Sequence, residues 1–411
     1  MTTERQTLTY DIVVVGAGMV GSAIACALAA DPRGADLRIA VVEAGADPAQ
    51  FSGTDFDPRV VALTHASRDL LDSVGAWSLI EAERACPYRH MVVWDAEGTG
   101  SIDFHAAEVQ QANLGHIVEN SVVTRALLGC LRALPQIELL QPARVETLLR
   151  DEENGQPQVL LADGRVLTSS LLLAADGANS RVRQLANMAT REWSYGQQAI
   201  VTTVRTERSH DDTAWQRFLA SGPLAFLPMQ TATAEGVDSH HCSIVWSLND
   251  DCVESLMALD DEAFAAQLGE AFEMKLGAIT QVDRRFCFPL RQRHAVDYVQ
   301  RGIALMGDAA HTIHPLAGQG VNLGFLDVCA MRDEILRACE RGVPLSDPSV
   351  LNRYQRSRKS HNLSMMGLME GFQRLFGADN LGVRWLRNAG MRQVNRLGPL
   401  KNRLVRQAMG L

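Results

Sequence analysis

Lysine is nearly missing from this chain: Lys275, Lys359 and Lys401 are the only three, and arginine supplies the other 36 positive charges. A Schiff-base lysine or a P-loop lysine behind a glycine-rich turn therefore has almost no candidates, and neither pattern occurs. The eight cysteines never stand closer than ten residues apart, so no CxxC pair marks a zinc or redox site. That usage fits a reduced, cytoplasmic compartment. No run of about 18 apolar residues exists to span a bilayer. The segment Met1–Tyr10 lacks the basic-then-apolar layout of a signal peptide. Positive charge is also in deficit, 39 basic residues against 48 acidic for a net of −9, which argues against a surface built to attract nucleic acid. What remains, 411 residues that are 46% hydrophobic and 21% charged, describes a globular chain large enough for two domains or one with a sizeable insertion.

The first readable unit runs from Tyr10 to Glu43. An apolar β-branched run, Ile12-Val13-Val14-Val15, meets a glycine turn; a small-residue helix follows over about 18–30, then a strand over 37–42. A strand apolar on both faces belongs in a parallel sheet covered on both sides. Helices are expected over about 59–77 and after Asn120, short strands over 135–175, and mainly β-structure over 190–290 interrupted by an acidic helix near 254–275. The expected fold is α/β (α+β overall): a discontinuous Rossmann-like domain of residues 1–75, 100–185 and 285–345, an inserted, mainly antiparallel β-sheet domain of 76–99 and 186–284, and a helical region over 346–411.

Gly16-Ala17-Gly18-Met19-Val20-Gly21 lies between that first strand and helix, the context that gives a GxGxxG pattern its meaning. Gly16 permits the tight turn, Gly18 lets the backbone approach a pyrophosphate, and Gly21 lets the helix pack closely. The helix N-terminus presents free N–H groups to phosphates. Glu43 ends the second strand, 22 residues after Gly21, where a carboxylate can accept ribose hydroxyls. This fingerprint leaves NAD and FAD equal. Two later strand-to-loop segments favour FAD: Asp176-Gly177 after Leu171–Ala175, and Gly307-Asp308 after Ile303–Met306. The run Pro315–Asn322 then opens a helix whose N–H groups suit the pyrimidine edge of a flavin.

The trio of GxGxxG, Ala175-Asp176-Gly177-Ala178-Asn179-Ser180 and Gly307-Asp308-Ala309-Ala310-His311 with Pro315 and Gly318-Gln319-Gly320 resembles the group A flavoprotein aromatic hydroxylases of the para-hydroxybenzoate hydroxylase type, over nearly the whole chain. More narrowly, Gly115–Asn120, Ala225–Pro228, His311–Gly324 and Arg406–Leu411 are similar to the ubiquinone-biosynthesis hydroxylases, the polyprenylphenol 5-hydroxylase branch first and the benzoquinol-hydroxylase branch next. The resemblance implies that Gly16, Gly18, Gly21 and Glu43 hold the ADP half of FAD and Asp308 its ribityl or pyrophosphate portion. Gly318, Gln319, Gly320, Val321 and Asn322 would meet the ring, with Arg59 near the flavin and Arg125 a further candidate for the pyrophosphate. Asp176 and Gly177 match a motif implicated in FAD and NAD(P)H contacts. It also implies the chemistry: NAD(P)H reduces FAD, O2 adds to give a C4a-hydroperoxide, and an oxygen atom passes to the ring of a polyprenylated phenol.

His314, Pro315 and Gly318 are the catalytic candidates, whereas His311 reads as structural and no metal site is expected. Phe226, Leu227, Pro228 and Trp246 either line an apolar substrate pocket or form an ordinary sheet core. Residues 381–411 carry seven basic groups and no acidic one, an amphipathic end suited to an anionic membrane surface, to a partner in a multi-enzyme complex, or to the chain's own acidic body. The competing readings are a hydroxylase of another phenol, a flavin halogenase or isoprenoid reductase, and a non-catalytic FAD-binding subunit. Oligomeric state is left open.

Overall fold

The computed structural model describes residues 6–151, 155–313 and 320–376, with Gln393 and Asn402. Its helices, in chain order, are α1 (Met19–Ala29), α2 (His65–Ser73), α3 (Ala76–Glu83), α4 (Asn120–Ala133), α5 (Arg181–Leu185), α6 (Asp250–Met257), α7 (Asp261–Ala271), α8 (Gly320–Arg341) and α9 (Pro348–Phe376).

The strand Thr7–Val15 sits in the middle of a parallel sheet, between Ile39–Val42 and Val166–Ala174, with Ile137–Leu140 beyond the first and Ile303–Leu305 beyond the second. Its residues Ile12, Val13 and Val14 have no exposed surface, as a strand covered on both faces requires. Helix α1 covers one face, packed between α4 and α8. Register is what matters for function. Val15 pairs with both Val42 and Ala174, and Ala174 with Leu305, so four strands end in line. The loops that follow them carry Gly16, Glu43, Asp176 and Asp308, and they emerge side by side at the carboxyl edge, where open α/β sheets bind ligands.

A second sheet of nine strands runs from His311–Thr312 through Phe286–Ala295, Thr190–Thr206, Gly236–Asn249, Gly222–Thr233, Thr213–Leu219 and His90–Asp95 to Ser101–His105, with Ile279–Val282 paired to Thr190–Thr206. Only the pair Thr213–Leu219 and His90–Asp95 is parallel. The sheet takes in Ser101–His105 and Phe286–Ala295, beyond the bounds expected for it. Side chains alternate across it. Ile200, Leu224, Phe226, Ile244 and Trp246 form a core with α6 and α7, while Ala225, Leu227 and Met229 face a three-stranded sheet of Val60–Leu63, Gly115–Glu119 and Cys86–Tyr88.

Two helix expectations are corrected. The segment over 59–77 begins as the strand Val60–Leu63, because β-branched Val60 and Val61 pair with Glu119 and Val118, and only then turns into α2, capped by Thr64. The acidic helix splits into α6 and α7 because Asp260 accepts the Ala263 N–H and starts a new helix. Among the described residues no helix is long and apolar enough to cross a membrane.

Candidate active site

At the first turn, Gly16 has φ +99°, a conformation that side chains disfavour, and a Cβ there would lie 2.5 Å from the Ala175 carbonyl oxygen. At Gly21 a Cβ would lie 1.8 Å from the Gly16 carbonyl oxygen, so α1 is seated directly on the turn. Gly18 differs. Nothing lies within 4 Å of a Cβ built on it. It caps α1 with no side-chain bond, and no acidic residue occupies the first turn. The helix therefore opens on free space with its N–H groups and positive end uncompensated. Glu43 stands beside it half-buried, Oε2 accepting the Ala17 N–H at 2.7 Å and Oε1 the Gly45 N–H at 2.6 Å. A carboxylate has four lone-pair sites, so Glu43 both shapes the turn and keeps capacity for a ligand hydroxyl.

The two downstream acids have unlike surroundings. The Asp176 carboxylate is taken up by the start of α5: it accepts from Ser180 Oγ at 2.5 Å and from the N–H groups of Arg181 and Val182 at 2.7 and 3.1 Å. It caps that helix, and Gly177 beside it is half-buried, with φ +77° and nothing within 4 Å of a Cβ among the described residues. Asp308 has no hydrogen bond or ion pair to its side chain among the described residues. It keeps exposed surface yet is crowded by protein, and that desolvation pushes its carboxyl above the ordinary value despite nearby His311. Buried Arg183 ties the two loops together, donating at 2.7 Å to the carbonyls of both Ala309 and Ala178.

Arg59 is exposed, and its guanidinium has no partner among the described residues. Its backbone is held firmly: Asp57 accepts the N–H groups of Arg59 and Ser121, and the Asp57 N–H donates to buried Glu119 at 2.7 Å. Burial pushes the Glu119 carboxyl up, opposed by the Asp57 N–H and by Arg84 at 2.6 Å. Arg125 bonds Glu83 and the Ala49 carbonyl. The Asn322 side chain is spent: it accepts from Ser67 Oγ at 2.6 Å and Thr64 N at 3.1 Å and donates to the Ala62 carbonyl at 2.8 Å, clasping the start of α8 to α2. Gly320 opens α8 with nothing among the described residues within 4 Å of a Cβ, and Val321 packs against the main core. His314, Pro315, Gly318 and Gln319 lie outside the described residues.

Of the four sheet residues left open between pocket and core, Phe226 and Trp246 belong to the core. Phe226 has no exposed surface and stacks on Phe272 at 3.7 Å between ring centroids, and Trp246 packs on Phe264, both away from the first sheet. Leu227 and Pro228 are buried, Leu227 against Phe56 and Ile117. Phe226→Ala is expected to cost about 3–4 kcal/mol of stability while leaving the Michaelis constant for substrate unchanged, checked by denaturant titration beside steady-state rates.

Residues 9–367 match the family described as FAD binding domain. The 3-demethoxyubiquinol 3-hydroxylase of Escherichia coli (strain K12) is 37% identical over 98% of this chain and 98% of its own length. The mitochondrial ubiquinone biosynthesis monooxygenase COQ6 of Homo sapiens is 33% identical over 96% of this chain and 92% of its own. The chain belongs to the FAD-dependent hydroxylases of ubiquinone biosynthesis. Solved structures share the fold: PqsL, a probable FAD-dependent monooxygenase from Pseudomonas aeruginosa, has a TM-score of 0.74 at 22% identity, covering 94% of this chain and 100% of its own. The p-nitrophenol 4-monooxygenase PnpA from Pseudomonas putida DLL-E4 also scores 0.74, at 20% identity and 98% coverage of each chain.

FAD is the cofactor of this hydroxylase family, and the residues present fit it. The uncompensated helix start at Gly18 suits a pyrophosphate, and the unpartnered Asp308 carboxylate suits a sugar-like hydroxyl chain. Among the described residues no cluster of three or more His, Cys, Asp or Glu could hold a metal ion.

Sequence reasoning missed what lies beneath the Asp308 turn. Asp327, fully buried on α8, meets Gly307, His311, Arg358 and Asn362; Asn362 continues to Tyr298, and Tyr298 to His294. The available signal was an acid, an arginine and an asparagine on the core-facing sides of two amphipathic helices, where charge is unusual.

Burial holds several histidines below the ordinary imidazole value, His116 and His294 furthest. Burial, then the charges of Arg68 and His65 for His116, and of His311, Lys359 and Arg191 for His294, bring each down to about 4 from 6.5. A folded value below the unfolded one means the native state holds fewer protons, so this stability is complete above pH 6.5 and is lost as pH falls towards 4. Each contributes a slope of about 1.4 kcal/mol per pH unit in that window. His116→Gln should lower the slope of stability against pH by up to about 1.4 kcal/mol per pH unit in denaturant titrations between pH 6.5 and 4.

Proposed function

We propose that this hydroxylase oxygenates the aromatic ring of a prenylated phenol or quinol, with FAD held across the carboxyl edge of the parallel sheet and NAD(P)H as reductant. The shared register of Val15, Val42, Ala174 and Leu305 carries the reading, because it gathers the separated glycine-and-acid loops at one edge. Gly16, Gly18 and Gly21 seat the pyrophosphate on α1, Glu43 takes the adenosine ribose, and Asp308 takes the ribityl chain. Arg59, Gly177 and the α8 start at Gly320 and Val321 border the flavin. When bound and reduced, FAD activates O2 and delivers one oxygen atom to the ring. The protein's part is to orient the ring and keep water out.

An apolar face supports a greasy substrate. Trp193 pairs with Gln292, Tyr195 bonds Gln292, and Phe288 and Leu290 share their strand and parity, so these side chains stand on one face of the second sheet. Ala199, Val201, Leu290, Tyr195 and Val245 pack together there, while Trp193 and Phe288 keep 37% and 39% of their surface exposed. We read this face as the wall along which the prenyl tail lies. Phe288→Asp should raise the Michaelis constant at least tenfold for a long-chain prenylphenol and leave that for a short-chain analogue within about twofold. Equal effects on both would remove the tail from this face.

The basic residues of 381–411, which lie outside the described residues, would hold the enzyme at an anionic membrane where such substrates reside. Liposome flotation tests this: removal of 381–411 should abolish co-flotation. The reading as a whole is tested by substrate-stimulated NAD(P)H oxidation with label from isotopic O2 appearing in the hydroxylated product. Bound flavin that NAD(P)H cannot reduce would support a non-catalytic subunit instead.

A further inference from the structure

The Asp308 turn is gripped from below by a single oxygen. Asp327 Oδ2 accepts the Gly307 N–H at 3.0 Å and His311 Nε2 at 2.6 Å, the residues bracketing Asp308 on either side. The other oxygen, Oδ1, accepts from Arg358 Nε at 2.7 Å and, at 3.4 Å, from Asn362 Nδ2, both on α9. Asp327, His311 and Asn362 have at most 2% of their surface exposed, and Arg358 has 6%. Burial alone would raise the Asp327 carboxyl, yet His311 and Arg358 outweigh it and hold it below its ordinary value, so the group stays a carboxylate.

The turn so gripped has nowhere else to go. Gly307 has φ +55° and a Cβ there would lie 3.0 Å from Val20 on α1, while a Cβ on Gly324 would lie 2.6 Å from the same Val20 side chain. The acid turn and α8 thus meet almost backbone to backbone, a Cβ on Gly324 lying 3.5 Å from the Gly307 Cα, with the Val20 side chain of α1 wedged against both. After His311 the chain passes directly into the second sheet, with His294 opposite His311 and Arg293 opposite Thr312.

We infer that Asp327 is a positioning residue for the flavin: by holding both ends of the 307–311 turn from the body of α8, it fixes Asp308 relative to the helix start at Gly320. The ribityl contact and the ring-edge contact then sit on one rigid unit, so the isoalloxazine is presented at a set distance from the sheet face that receives substrate. The two oxygens divide the labour. Oδ2 serves the cofactor turn, and Oδ1 anchors the unit to α9. A carboxylate is required because two donors converge on one oxygen while a guanidinium needs an anion at the other.

This inference rests on FAD binding at Asp308, and the wild-type protein must first be shown to take up FAD by flavin-fluorescence quenching; if it does not, the family reading fails rather than this one. His311→Phe keeps the ring volume and removes one bond to Oδ2. It should weaken FAD binding at least tenfold and shift the visible absorption band and midpoint potential of the flavin that does bind. His311→Gln, which still carries an N–H donor, should restore most of both. Asn362→Leu loosens the Oδ1 side alone; it should lower the thermal midpoint of the apoprotein while leaving FAD affinity within twofold and the flavin spectrum unchanged. Asp327→Asn should combine both losses, and if it does not fold the other three variants still decide. The inference is overturned if His311→Phe binds FAD with wild-type affinity and spectrum, or if His311→Phe and Asn362→Leu lose FAD in step with their thermal midpoints, as a purely structural role would require.

Discussion

Gly18→Ala is expected to fold as the parent does and to bind FAD at least tenfold more weakly, whereas Gly21→Ala is expected not to fold stably at all. Gly18 has φ −68° and ψ −174°, backbone that alanine adopts freely, and its Cβ would meet nothing within 4 Å. The apoprotein loses less than about 1 kcal/mol, the difference between glycine and alanine at a helix cap. A methyl group there occupies the path by which a pyrophosphate approaches the first N–H groups of α1. At Gly21 the added carbon would lie 1.8 Å from the Gly16 carbonyl, a backbone atom that cannot step aside without lifting α1 off the sheet. That overpacking costs about 3 kcal/mol or more. Thermal melts of the apoproteins with flavin titrations separate the two. Parent affinity for FAD in Gly18→Ala would mean that the space above Gly18 is not the cofactor's.

Asp308→Asn should release FAD, weakening it about 10- to 100-fold, the worth of a charge-assisted hydrogen bond in a dry site. Asp308 is the one acid of the three strand-end loops with no protein partner for its side chain among the described residues. Glu43 and Asp176 already accept backbone N–H groups. Asp176→Asn should consequently act through α5, lowering stability more than flavin affinity. The check is equilibrium dialysis against FAD for both variants, followed by a melt. A greater FAD loss in Asp176→Asn than in Asp308→Asn would reverse the assignment.

Much of this site was legible because its requirements are local. A glycine turn between a β-branched strand and a small-residue helix announces itself, and Gly16, Gly21 and Gly307 each prove to be glycine for a steric reason that GxGxxG and GD patterns encode. Asp308 stood out as a candidate from its position at a strand end. Asp176 had the same signature and a different job, since sequence does not tell whether a carboxylate turns outward to a ligand or back onto the helix that follows it. The side-chain partners of Arg125 and Asn322, Glu83 and the Thr64–Ser67 cap, were not legible because they are distant in the chain. Val60–Leu63 looked helical in apolar spacing, but pairing with Gly115–Glu119 overrides local preference. Asp327 was invisible because a buried charge makes sense only when Gly307, His311 and Arg358 are seen around it.

The most direct measurement is the visible spectrum of the purified chain after incubation with FAD and removal of the excess. One flavin should remain per chain, quenched in fluorescence, and NAD(P)H should bleach it when a prenylated phenol is added. A colourless protein that takes up no flavin would contradict the account at its root.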